Sequence, residues 1–142
     1  MSNARSQILY LAPVRGISDL VYRNCFARHF RGGDLAMTPF VTTVKGNQIK
    51  PSHLRECDPE LNEMTIIPQI IARNPNHFID LSQQLEEVGN TKVNWNLGCP
   101  HPTMTKKRCG SGLLPYPELI DEFLDTICST IHLRLSVKVR LG

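Results

Sequence analysis

No run of apolar residues in the 142-residue chain approaches the roughly 18 that a membrane-spanning helix requires, so a membrane-embedded reading is set aside. The opening MSNARSQILYLAP lacks a basic stretch followed by a long apolar core and a small-residue cleavage site, so it does not read as a secretory signal, and a cytoplasmic location is expected. Cys25, Cys57, Cys99, Cys109 and Cys128 form no CxxC pair. Their odd number and scatter suit neither a disulfide framework nor a zinc site. His29, His53, His77, His101 and His132 are equally scattered, none at ligand spacing from a carboxylate, so no metal is expected. Internal repeats and low-complexity tracts are missing too. What remains, 41% hydrophobic and 20% charged residues, is the composition of an ordinary globular domain.

The net charge is only +3, but it is unevenly spread. Residues 1–57 carry eight Lys/Arg against three Asp/Glu, whereas residues 58–90 carry one against six. Lys106, Lys107 and Arg108 form the one tight basic cluster, which can be a solvated loop or a set of phosphate contacts.

Short apolar runs alternate with amphipathic stretches, the pattern of βα units around a parallel sheet. Five strands are expected, at Ile8–Ala12, Leu35–Phe40, Thr65–Ile71, Val93–Leu97 and Leu135–Leu141, most of them apolar throughout as in strands covered on both faces. Ser18 is a candidate cap for a helix to Phe30 with Leu20, Val21, Cys25 and Phe26 inward. Asn74-Pro75 starts a second helix whose inner face is Phe78, Leu81, Leu85 and Val88, and Gly89 suits its left-handed stop. A third opens at Pro117 and runs to Ile131, and the polar segment Thr42–Asn62 reads as a loop with a short helix over Pro51–Cys57.

Such an order fits an open doubly wound sheet or an incomplete barrel. The first strand is followed by no Gly-rich phosphate fingerprint, and no helix follows the last, which favours a partial (β/α)₈ TIM barrel that stops after strand five. Residues 1–142 are accordingly expected to be the N-terminal portion of a catalytic domain, inactive alone.

In parallel α/β folds reactive groups gather at the C-terminal ends of strands. Here those ends are polar: Ala12-Pro13-Val14-Arg15-Gly16, then Gln69, then Asn94-Trp95-Asn96-Leu97-Gly98-Cys99-Pro100, then Lys138 and Arg140. Unpartnered, each buried amide or ammonium would cost roughly 1–3 kcal/mol, so a shared ligand is the economical explanation.

NWNLGCP, KKRCGSGLL and VKVRLG, with the opening LAPVRGISDLVYR, resemble the tRNA-dihydrouridine synthases, whose fourth strand typically ends in Asn-x-Gly-Cys-Pro. The resemblance runs from about Ile8 to Gly142. It implies an FMN-dependent enzyme, fed by NADPH, that reduces the C5=C6 bond of selected uridines in tRNA by hydride delivery to C6 and protonation of C5. Cys99 matches the proton donor, and an ordinary thiol, with a pKa of about 8.5, is mostly protonated near neutrality. Pro13 and Val14 match positions against the flavin ring, Val14 replacing the usual Met; Gln69 matches the residue bonding the ring's pyrimidine edge, and Lys138 the cation near N1 and O2. Asn96 and Arg140 are matched to the uracil, and Lys106, Lys107 and Arg108 to the tRNA backbone. Gly110-Ser111-Gly112 is only a weak phosphate-cradle signal, Cys109 reads as a small loop residue, and His101 is a candidate for tuning Cys99. Two rivals stay open: an FMN barrel acting on free pyrimidines, and a non-catalytic RNA-binding remnant.

Overall fold

The computed structural model describes residues 7–43 and 47–141. Residues 44–46, within the polar segment expected to be a loop, and Gly142, the last residue of the final motif, lie outside them. The elements run β1 (Tyr10–Leu11), α1 (Leu20–His29), β2 (Leu35–Met37), α2 (Pro51–Glu56), β3 (Ile66–Ile67), β4 (Gln69–Ile70), α3 (Pro75–Glu87), β5 (Lys92–Asn96), α4 (Pro102–Thr105), a 3₁₀ turn (Gly110–Leu113), α5 (Pro117–Cys128) and β6 (Arg134–Lys138). All strand pairs are parallel, in two three-stranded sheets ordered β1-β2-β3 and β4-β5-β6. The α/β alternation is therefore as expected from the sequence pattern.

The expected strand Thr65–Ile71 is two strands, because Pro68 divides it and has no N–H to give. Its carbonyl instead accepts from Asn94 N at 2.8 Å, which carries the pairing across the break. The chain beyond β2 also spans the break: Thr38 N donates to the Ile67 carbonyl at 3.2 Å and Val41 N to the Gln69 carbonyl at 2.8 Å. The other four strands form near their expected places, β1, β2 and β6 shorter than expected and β5 of the expected length but one residue earlier.

Helix α3 follows its local signals. Asn74 Oδ1 accepts from Asn76 N at 2.9 Å, Pro75 occupies the first turn, Phe78, Leu81 and Leu85 are fully buried, and Gly89 adopts φ +105°. α3 and α5 cover one face of β5, where Trp95 stacks on Phe123 at 4.0 Å and 9°, and Phe78 meets the same ring edge-on at 5.6 Å. Such aromatic pairs add about 0.5–1.5 kcal/mol beyond the area they bury. Trp95 Nε1 donates to the Ala72 carbonyl at 3.0 Å, so the ring is buried without orphaning its N–H.

Helix α1 differs from expectation. Asp19, not Ser18, caps it, accepting from Tyr22 N at 2.8 Å, while the Ser18 hydroxyl accepts from Val14 N at 2.7 Å in the preceding turn. Val21 and Cys25 face outward, and the fully buried residue is Arg23. Its guanidinium donates to the Ser18 carbonyl (2.7 Å), the Glu56 carbonyl (2.6 Å) and Asn62 Oδ1 (2.9 Å), with Glu56 Oε2 at 3.3 Å. Every nitrogen has a partner, which is what lets a cation replace an apolar residue on the inner stripe.

Candidate functional site

Period-two alternation and the strand register together assemble a polar face opposite the helices. Gln69 pairs with Asn94, Asn94 with Ser136, and Asn96 with Lys138, so these side chains share one side of the β4-β5-β6 sheet. Val93 and Trp95, on the other side, belong to the apolar core beneath α3 and α5.

The amides partner one another. Ser136 Oγ accepts from Asn94 Nδ2 at 3.0 Å, Asn94 Oδ1 from Gln69 Nε2 at 2.7 Å, and Gln69 Oε1 from Asn96 Nδ2 at 2.7 Å. Gln69 and Asn94 are wholly buried, and each is hydrogen-bonded. The buried amides thus need no ligand as a partner, contrary to expectation, because they satisfy each other. Each keeps unused valence, since a primary amide has two N–H groups and a carbonyl two lone pairs.

The row ends on Cys99. Asn96 Oδ1 accepts from both Gly98 N (3.0 Å) and Cys99 N (2.9 Å), clamping the turn that follows β5. On the far side, the Cys99 carbonyl accepts from Ser111 N (3.0 Å) and Ser111 Oγ (3.1 Å). Gly110, at φ +58°, sits so close that a Cβ there would stand 2.6 Å from the Cys99 carbonyl oxygen. A Cβ on Gly98 would meet the Val139 carbonyl oxygen at 3.2 Å, and Leu97 N donates to the Lys138 carbonyl at 2.9 Å. The Gly-Ser-Gly run is therefore the seat of the Cys99 turn, folded as a 3₁₀ turn. Cys99 itself is half-buried.

Of the residues named from sequence, Gln69, Asn96 and Cys99 come together in this network, with the backbone of Lys138 alongside. The Lys138 side chain is exposed and makes no ion pair among the described residues, and Arg140 is exposed beyond it. Pro13 and Val14 follow β1, in the other sheet, with Val14 47% exposed. The basic triplet splits: Arg108 lies over the Tyr116 ring at 4.7 Å, Lys107 lines a cleft with Arg73, and Lys106 points to solvent at the end of α4. His101 Nδ1 accepts from Thr103 N at 3.3 Å as the cap of α4.

Sequence reasoning assigned no role to Asn94 or Ser136. The parity shared by Asn94 and Asn96 was a usable signal; the pairing with Ser136 depends on register and had none. Burial pushes the Cys57 thiol up to about 11, opposed by its contact with Thr38 Oγ1 at 3.7 Å, and also raises Cys109, against the pull of Arg73 and Lys107. No group of three or more His, Cys, Asp or Glu among the described residues could hold a metal ion, and no helix is long and apolar enough to cross a membrane.

The model of the family described as dihydrouridine synthase matches residues 10–142. The chain belongs to the dihydrouridine synthase family. It is 32% identical over 143 residues to the tRNA-dihydrouridine(16) synthase of Escherichia coli (strain K12), covering 93% of this chain and 44% of that protein. The "Probable tRNA-dihydrouridine synthase 1" of Synechocystis is 28% identical over 132 residues (92% of this chain, 36% of that one). The tRNA-dihydrouridine synthase B of Pasteurella multocida is 26% identical over 139 residues (94% and 40%). The chain thus spans about two fifths of the length of these dihydrouridine synthases.

Proposed function

We propose that these residues form the first five strands of the (β/α)₈ barrel of a cytoplasmic tRNA-dihydrouridine synthase, which uses FMN and NADPH to reduce the C5=C6 bond of uridine in tRNA. The observation that carries this reading is the two-sided clamp on the Cys99 turn, Asn96 below it and Ser111 above it. It fixes the backbone of a half-buried Cys99 directly after the polar strand face, which supports a role for its thiol.

The donor set fits a flavin in kind. Lys138 is an exposed cation one register step from the amide row, and Gln69, wholly buried in that row, has a spare carbonyl lone pair and an N–H held only by the Met37 sulfur at 3.9 Å, which a ring edge would reach once its neighbours move aside. Gln69 and Lys138 would hold the polar edge of the ring, and Pro13 and Val14 its apolar face. When bound, the flavin supplies the hydride. Lys138 contributes positive charge where negative charge collects on the reduced ring. Asn96 and Arg140 orient the uracil, Cys99 Sγ gives its proton to C5, and the thiolate regains one from solvent. Lys106, Lys107 and Arg108 serve the tRNA backbone, which positions the strand while the pocket reads the extruded base.

The test joins residues 1–142 to the portion of the Escherichia coli relative that follows its matched segment, in cells lacking their own dihydrouridine synthases. Mass spectrometry of the tRNA is expected to show dihydrouridine, and Cys99→Ala to lower its rate of formation by about 10²-fold or more, the usual worth of a positioned general acid. A folded, yellow hybrid that forms none, or a Cys99→Ala hybrid as fast as its parent, refutes the reading. Activity on free uracil instead of tRNA would favour the pyrimidine-reducing rival.

A further inference from the structure

A cleft of about 520 Å³ opens beside the Cys99 loop, and none of the site residues other than Lys107 lines it. Its rim carries Arg73, from the turn before α3, His77, from the first turns of α3, and Lys107, while Leu81 and Met104 lie among its apolar lining. No carboxylate is among the lining residues, and neither Arg73 nor Lys107 makes an ion pair among the described residues. Arg73 is the lone cation in the otherwise acidic stretch 58–90, so its position here is no reflection of a generally basic segment. Cys109 lines the cleft with both cations, and their charge opposes the burial that raises its thiol. Met104, Lys107 and Cys109 belong to the same loop whose Ser111 grips the Cys99 carbonyl, making one wall of the cleft continuous with the seat of the reactive thiol.

We propose that this cleft is an RNA phosphodiester site, in which Arg73 and Lys107 hold a backbone phosphate of a nucleotide neighbouring the one presented to Cys99. The inference rests on the reading of the chain as part of an RNA-modifying enzyme. Two uncompensated cations over an apolar floor match a phosphate and its sugar. The shared wall explains how a grip on the backbone sets the position of the base: a phosphate held at Lys107 is in register with Cys99 through one short, hydrogen-bonded loop.

Binding of an unmodified tRNA transcript to the 142-residue chain is measured by fluorescence anisotropy across a salt series, and thiol alkylation is followed site by site by mass spectrometry. The Arg73→Gln/Lys107→Gln chain is expected to bind about fivefold to tenfold more weakly at low salt, with a log–log salt slope smaller by about 1, while Arg134→Gln on the distant start of β6 stays within twofold. RNA is expected to slow alkylation of Cys109 at least fivefold and to leave the exposed Cys25 and Cys128 unchanged. Unchanged affinity and slope in the double variant, or tRNA binding that leaves Cys109 as reactive as before, overturns the cleft assignment without touching the dihydrouridine synthase reading. No binding of tRNA even at low salt also overturns it. Protection of Cys109 by FMN alone overturns RNA as the occupant in favour of the flavin phosphate. Protection by RNA, together with a hybrid enzyme that forms no dihydrouridine, keeps the cleft and sinks the function.

Discussion

Asn94→Leu tests the amide row, because the substitution keeps the branching and heavy-atom count of the side chain and removes its polarity. Asn94 is wholly buried and links Gln69 Nε2 (2.7 Å) to Ser136 Oγ (3.0 Å). Ser136 has a second partner in the Val93 carbonyl at 3.3 Å and lies in an exposed position, so its loss is small. Gln69 Nε2 is left with only the Met37 sulfur at 3.9 Å, a weak acceptor, so its desolvation goes largely uncompensated. An orphaned buried amide costs about 1–3 kcal/mol, and roughly 2 kcal/mol lowers Tm by about 6–8 °C in a domain of this size. Trp95, the sole tryptophan, is the adjacent residue and fully buried against Phe123, so its fluorescence in a urea titration reports the affected strand directly. Adding Gln69→Leu completes a double-mutant cycle. The pair is expected to couple by about 1–2 kcal/mol, since the second leucine removes the donor that the first had orphaned. A single variant within about 0.5 kcal/mol of the parent, or a strictly additive double, refutes the row as a cooperative unit.

The remaining predictions concern the clamp, the buried cation and the buried thiol. Gly110→Ala forces a Cβ to 2.6 Å from the Cys99 carbonyl oxygen at φ +58°, so it is expected to displace the turn and change the alkylation rate of Cys99 at least severalfold; an unchanged rate refutes the seat. Arg23→Leu takes the donor from the Ser18 carbonyl and Asn62 Oδ1 and the cation from Glu56, whose carbonyl keeps Asn62 Nδ2 (3.2 Å) and whose carboxylate keeps Leu20 N (2.6 Å), and a loss of about 2–4 kcal/mol in chemical denaturation is expected, against near-neutrality if the network contributes nothing. The Cys57 thiol, raised by burial to about 11 in the folded chain, binds its proton where the unfolded chain has released it. Stability is therefore full below about pH 9 and falls as the pH rises toward 11, by about 3 kcal/mol over the two units, and Cys57→Ala is expected to flatten that alkaline loss. Thiol reagents at neutral pH should modify Cys25 and Cys128 at once and Cys57 only on unfolding.

What the sequence determined by itself is whatever acts over a few residues. Asn74-Pro75 and Gly89 delimit α3 because a cap and a left-handed stop are local, and the apolar runs locate the strands because strand burial follows composition. The Asn-x-Gly-Cys turn is local too: Asn96 reaches the N–H groups two and three residues on, so the motif carries its own geometry. Tertiary structure alone decided the rest. Arg23 occupies the inner stripe of α1 because Glu56 and Asn62, 33 and 39 residues away, complete its hydrogen bonds, which no helical period can announce. Gln69, Asn94 and Ser136 compensate one another across separations of 25 and 42 residues, so polar residues that suggested a ligand in one dimension are partners in three. Arg73, 34 residues before Lys107, lines one cleft with Lys107 and another with Arg108, which lies over Tyr116, a juxtaposition that local sequence does not announce. Hydrogen bonding and charge compensation between distant residues depend on strand register and loop closure, and these exist only once the chain has packed.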